Sequence, residues 1–291
     1  MKDVVLAFPI RSLSRCRVRL ATSIRLTLWV LVLCTASACK PAPQHASGGS
    51  AQAARELRVV TSGGFTAAYN VLAPAFEAET GIRLHTEYGA SSGGAPDSIP
   101  VRLADGQAFD VVILSRSSLD RLTEQGFVRG DSRRDLVRSS IGMAVREGSE
   151  APDISTPEAF RQVLLDAESI AYSASASGTY LSTVLFPQLG LWESLEPKSR
   201  RIVSERVASV VARGEAQIGF QQISEILPID GASFVAPIPG AYQKITVFST
   251  GITTGAVNPD DARRLIDYIS STEVSATVAA TGLEPVGSKR E

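Results

Sequence analysis

From Glu56 onward, short apolar runs alternate with segments of helical period. Parallel sheets with crossover helices impose this pattern, because their strands are covered on both faces. Residues 57–61, 82–88 and 110–114 read as strands, and 66–80, 97–104 and 117–125 as the intervening helices, with Gly81 and Gly126 as stop signals. A second set follows: 141–146 extended, 156–167 helical with Pro157 at its start, 169–172 a strand, 177–189 and 205–213 helices, and 218–221 a strand. Residues 245–253 read as a long strand, and 259–271 and 273–281 as terminal helices. No repeat or flexible connector separates the two sets, so the chain must cross between two lobes as extended strands, for which 141–146 and 245–253 are the natural segments. The predicted fold is α/β and two-lobed, each lobe an open sheet flanked by helices. Residues 56–140 plus 246–287 build lobe 1 and 141–245 build lobe 2. A ligand belongs in the cleft where strand ends and helix N-termini of both lobes converge.

The N-terminal segment is a different material. Five arginines between Arg11 and Arg25 precede the apolar run 26–34 and the small residues 35–38. This is the organisation of a secretory signal, predicted over 1–38, and the apolar run is well short of the ~20 residues that span a bilayer. Ala36-Ser37-Ala38-Cys39 has the form of a bacterial lipobox, and KPAPQHASGGSAQAA after it suits a flexible tether, assigned with Cys39 to 39–55. Plain secretion by cleavage after Ala38 is the alternative. The expected result is a mature chain that begins at an acylated Cys39 and partitions with membranes. Mass spectrometry of the mature N-terminus checks this; an unmodified Cys39 in a freely soluble protein would contradict it.

Once the signal is removed, Cys39 is the only thiol, which rules out an internal disulfide. His85 is the only histidine beyond the tether. Cys/His metal sites, thiol nucleophiles and Ser-His-Asp chemistry therefore have almost no material, and no metal or cofactor is expected. A formal net charge of -1 gives no general field for nucleic acid or an anionic membrane, so any anion site must be local and any membrane contact must come through the lipid. The expectation is a monomer.

Four Gly- or Ser-rich turns fall where strands hand over to helices. In 61–66 (TSGGFT), Ser62, Gly63 and Gly64 offer backbone N–H groups at a helix start. In 88–94 (YGASSGG), Ser91 and Ser92 supply hydroxyl donors without charge. In 172–180 (YSASASGTY), Ser177 reads as an N-cap, with backbone donors across Ser177, Gly178 and Thr179. The fourth element pairs Ser204 at a helix start with Gln222 at a strand end. Each turn has an ordinary explanation as a loop or cap. Together, two per lobe and all at strand ends, they outline a small-anion receptor.

At these segments the sequence carries VVTSGGFTAAYNVLAPAFEAETGI, YGASSGG, ADGQAFDVVILS, SASGTYL, LGLWESL and VASVVARGEAQIGFQQ. In order and spacing they resemble the periplasmic molybdate-binding family of ABC uptake systems. The resemblance implies the type II periplasmic-binding-protein fold, a small anionic ligand and an inner-membrane ABC permease as partner. Carried over position by position, it aligns the family's first-loop serine with Gly64, its second-loop serine with Ser91 or Ser92, its backbone donors near Ser177 and Ser204, and its tyrosine donor with Gln222. The losses at Gly64 and Gln222 argue against molybdate, and a glycine at 64 is expected to leave room for a larger anion.

TSGGFTAAY, IAYSASASG and IGFQQISE also look like a subgroup of this fold that includes aconitate isomerase. That resemblance implies a 1,3-proton shift, which needs a base. His85, Glu87, Tyr180, Glu205 and Glu225 are all candidates, and their spacing does not separate them. The sequence reading therefore prefers a binding protein for an oxyanion or small di- or tricarboxylate, with isomerisation as the alternative.

Overall fold

The computed structural model describes residues 55–287, so the signal segment, Cys39 and nearly all of the tether lie outside the described residues. Two sheets form. In the first, β1 (Glu56–Ser62), β2 (Arg83–Gly89) and β3 (Val111–Ser115) join β4 (Arg134–Ser139), β10 (Thr246–Ile252) and β11 (Glu284–Pro285) in the order β11-β4-β10-β3-β1-β2. In the second, β5 (Ile141–Arg146), β6 (Ile170–Ser173), β7 (Ser199–Ile202), β8 (Ile218–Gln222) and β9 (Ala232–Pro237) are ordered β7-β6-β8-β5-β9. β3, β6 and β8 are buried at every position, as strands covered by helices on both faces require. β2 runs exposed or half-buried along its length, consistent with its place at a sheet edge.

Register sets up the cleft. β1 and β2 are parallel and end level, Ser62 opposite Gly89, so the turns that follow them leave the same edge of the sheet together. β6 is likewise parallel to β8, with Tyr172 opposite Phe220. The chain passes from sheet one to sheet two at Ser140, between β4 and β5, and returns through 238–245 into β10. The sequence reading placed the crossovers inside 141–146 and 245–253. In the structure those segments are ordinary sheet members, and the crossings lie just before each of them. β4, β7 and β9 were not anticipated. Charged residues break β4 and β7, and β9 is half-buried up to an exposed Pro237, so none is buried along its length.

Several helix boundaries also differ. The first helix, α1 (Gly63–Thr80), starts three residues before the expected Thr66, so the Gly-Gly pair forms its first turn rather than a preceding loop. The expected helix 177–189 is Ala176–Tyr180, a π-helical turn Leu181–Leu185 and Phe186–Gln188; its N-cap position is Ser175, not Ser177. The helix expected at 205 starts at Val207. The last helical segment is split into Thr272–Val274 and Ser275–Ala279.

Separate apolar clusters sit on the two sheets, one around Phe65, Tyr69, Phe76 and Phe248, the other around Phe160, Phe186 and Phe220. The two parts meet where Ser224 Oγ donates to the Gly64 carbonyl at 2.8 Å, both buried, joining the helix Ile223–Ile226 to the start of α1.

A candidate ligand cleft between the lobes

The strand ends of both sheets open onto one cavity of about 490 Å3, lined from sheet one by Gly63, Gly64, Ser91 and Phe248 and from sheet two by Ser177, Ser204, Arg206, Gln222 and Glu225. Of the residues singled out from the sequence, Gly63, Gly64, Ser91, Ser177, Ser204 and Gln222 line it; Ser62, Ser92, Gly178 and Thr179 do not. Ser62 is buried, with its hydroxyl unpartnered. The Thr179 N–H donates to the Ser175 carbonyl at 3.0 Å and so is not available to a ligand. Gly178 packs on Ser173, where a Cβ would fall 1.8 Å from the carbonyl oxygen.

Each lining group has a local reason to be there. The first N–H groups of α1 have no intrahelical acceptor, and Ser62 at the N-cap does not bond them. Ser91 Oγ accepts the Ser115 N–H at 2.9 Å, which fixes the second turn against β3 and leaves the hydroxyl proton for a ligand. Ser204 has φ 62, the left-handed region that an L-residue enters only when its surroundings hold it there, and it alone among the described non-glycine residues has a positive φ. Gln222 is buried, and its amide N–H donates to Thr246 Oγ1 at 3.0 Å, which holds the side chain in place. Its Oε1 is unpartnered. Because Thr246 can donate as well as accept, a half-turn of the amide would present an N–H instead.

Gly64 does not enlarge the cleft. A Cβ on Gly64 would lie 2.0 Å from Cζ of Phe248, so the aromatic ring occupies the volume that the substitution of serine by glycine had been expected to free. Phe248 is 3% exposed and belongs to the core of the first lobe. A register shift against β4 falls between Phe248 and Ser249, a local irregularity of the kind that redirects side chains beside binding sites.

Of the five base candidates, only Glu205 and Glu225 reach the cleft. His85 pairs with Glu56 at 3.1 Å on the exposed edge, Glu87 pairs with Arg102, and Tyr180 donates to the Tyr242 carbonyl at 3.0 Å. Glu205 is engaged by Arg213 at 3.0 Å and is 41% exposed. Glu225 is different. It is the third residue of the helix Ile223–Ile226, whose N-cap is Gln222, so its carboxylate folds back toward the Gln222 N–H in the manner of a capping box. It packs over Gly63, where a Cβ would fall 1.8 Å from Oε1, and its side chain is 14% exposed. Burial pushes its carboxyl above the ordinary value of 4.5, opposed by the nearby Arg206 charge and by hydrogen bonds from Gln221 and the Gln222 backbone.

Arg206 and Phe248 are among the cleft residues that sequence reasoning missed. Arg206 Nη1 lies 3.9 Å from Glu225 Oε1, is buried and makes no hydrogen bond. It stands at the N-cap of the helix Val207–Ala212, whose first N–H groups are instead accepted by Gln221 Oε1 at 2.9 and 3.4 Å. A cation at a helix N-terminus opposes the helix dipole, and this was the one signal in the sequence that could have flagged it. Among the described residues no group of three His, Cys, Asp or Glu side chains is placed to hold a metal ion.

The fold and cleft are those of a two-lobed periplasmic binding protein. The profile of the bacterial extracellular solute-binding proteins matches residues 57–284, and the chain belongs to that family. It is 44% identical over 237 residues to an aconitate isomerase of a Pseudomonas species, a match covering 81% of this chain and 90% of that protein. It is 25% identical over 244 residues to the molybdate-binding protein ModA of Azotobacter vinelandii, covering 80% and 91%. The solved periplasmic molybdate-binding protein of Azotobacter vinelandii superposes with a TM-score of 0.62 at 21% identity, over 78% of this chain and 98% of that one.

Proposed function

We propose that this extracellular solute-binding family member binds a small unsaturated polycarboxylate of the aconitate type and shifts a proton along its three-carbon backbone. The observation that carries the reading is Glu225, an enclosed carboxyl in the cleft whose pKa burial raises toward the range useful to a general base. As a carboxylate, Glu225 would take a proton from the ligand CH2, and the electron pair would delocalise through the adjacent double bond and its carboxylates. Returning that proton to the other terminal carbon moves the double bond by one carbon and restores the base, with no redox partner required. Neutral donors from Gly63, Gly64 and Ser91 suit the carboxylate oxygens on which charge builds. The 44% identity to an aconitate isomerase supports the same substrate class.

The test is to incubate the purified protein with trans-aconitate and follow cis-aconitate by ultraviolet absorbance and chromatography. Turnover supports the isomerase; binding without turnover leaves a receptor that delivers the ligand to an ABC permease, which the resemblance to ModA supports. No binding of any polycarboxylate would overturn the reading. The protein is also read as exported and tethered through Cys39.

Two expected results belong here. At about a hundredfold excess over Kd, a ligand adds ~2.7 kcal/mol to stability, so trans-aconitate should raise Tm by ~5–10 °C in a thermal-shift assay. Molybdate should bind at least ~10-fold more weakly than trans-aconitate, because Phe248 stands where the family donor would, and a dry oxygen costs ~1–3 kcal/mol. Calorimetry with both ligands checks the order.

A further inference from the structure

Among the described residues the cleft is lined by one cation and three carboxyl groups, Arg206 against Asp97, Glu205 and Glu225. A polyanion would be repelled from such a surface unless the cation were free to meet it. Glu205 is occupied by Arg213, and the Arg206 guanidinium reaches Glu225 only at 3.9 Å, beyond hydrogen-bond length. Nη1 is therefore buried beside the cleft with none of its donors used. A desolvated guanidinium N–H without an acceptor is costly, and the planar fork of an arginine matches a carboxylate bidentately. The guanidinium carries donors only and cannot cap the helix Val207–Ala212, whose first N–H groups are accepted by Gln221 Oε1 instead.

We propose that Arg206 is the charge-selecting anchor of the cleft, binding one carboxylate of the ligand in exchange for its long contact with Glu225, so that ligand capture and release of the proton-carrying carboxyl are a single event. This rests on the polycarboxylate reading above. Arg206 is thus a specificity and positioning residue, and Glu225 becomes more basic only when the correct ligand has taken the arginine. Burial is the largest influence on Glu225 and raises it; Arg206, Gln221 and the Gln222 N–H act against burial, and Asp97 and Glu205 are the remaining charged groups lining the cleft.

The experiment measures trans-aconitate affinity by calorimetry and the pH profiles of kcat and kcat/KM for the wild-type chain, R206Q and R206K. R206Q should weaken trans-aconitate ~10- to 100-fold, the range for a charged hydrogen-bonded contact. R206K should fall between them, keeping charge but not the fork. In the wild-type protein the acid limb of kcat should lie at higher pH than that of kcat/KM, because the ligand has drawn the arginine away. In R206Q the kcat/KM limb should move up, since the free enzyme has lost the cation that lowers Glu225. Unchanged affinity and unchanged pH limbs in a folded R206Q would overturn the anchor while leaving the isomerase reading intact. If R206Q does not fold, the same comparison with R206K decides. A wild-type chain that binds no trans-aconitate overturns both.

Discussion

Glu225→Gln is expected to lower kcat for trans-aconitate by ~10²–10⁴-fold, the usual contribution of a positioned proton-transfer group, while Kd changes little. Glutamine preserves the shape of the side chain over Gly63 and can still accept from the Gln222 N–H, so the helix start should survive. Single-turnover absorbance and calorimetry on the same preparation separate the two quantities, and full turnover by the variant would remove Glu225 from the mechanism. The sign of the pH dependence is also determined. Glu225 has a folded pKa raised above 4.5, chiefly by burial. Its neutral form thus favours the folded state at low pH, and that contribution is lost as pH rises through the raised folded value. Thermal stability of the wild-type protein should fall relative to E225Q across that window, while kcat/KM rises over the same range as the base of the free enzyme ionises. A wild-type Tm that gained on the variant with rising pH would contradict the assignment.

Restoring the serine of the molybdate-binding family, Gly64→Ser, should destabilise the protein rather than create an oxyanion donor. The new Cβ would lie 2.0 Å from the Phe248 ring, and that ring is packed among core residues. Overpacking of this kind costs ~1–3 kcal/mol, a fall of ~3–10 °C in Tm for a chain of this size. Phe248→Ala is itself destabilising, but adding Gly64→Ser to it should cost less than ~0.5 kcal/mol, because the clash has gone. A double-mutant cycle in thermal or denaturant unfolding reads that coupling. Additive losses would mean that the ring does not confine residue 64, and the account of weak molybdate binding would fall with it.

The two lobes were legible in the sequence because parallel, doubly covered strands must be continuously apolar, and β3, β6 and β8 are. The Gly- and Ser-rich turns were legible for a related reason. Strand-to-helix handovers in a parallel sheet all leave at one edge, so small polar residues there are brought together whatever the details of packing. Strands such as β4 and β7 were hidden because charged residues interrupt their pattern and their pairing is decided by distant partners.

Three matters were settled only by tertiary contact. Gly64 read as added space, yet Phe248, far away in the chain, fills it from across the sheet. Glu225 could not be separated from four other candidates by spacing, since what distinguishes it is burial over Gly63 and beside Arg206, which belong to different elements. Arg206 drew no notice because surface arginines are common; its significance lies in a buried Nη1 without an acceptor. Local sequence determines which residues can form strands, caps and turns, because those depend on period and backbone conformation. Which polar group loses its water depends on what packs against it, and in this protein that was decided by residues from both sheets meeting at one cleft.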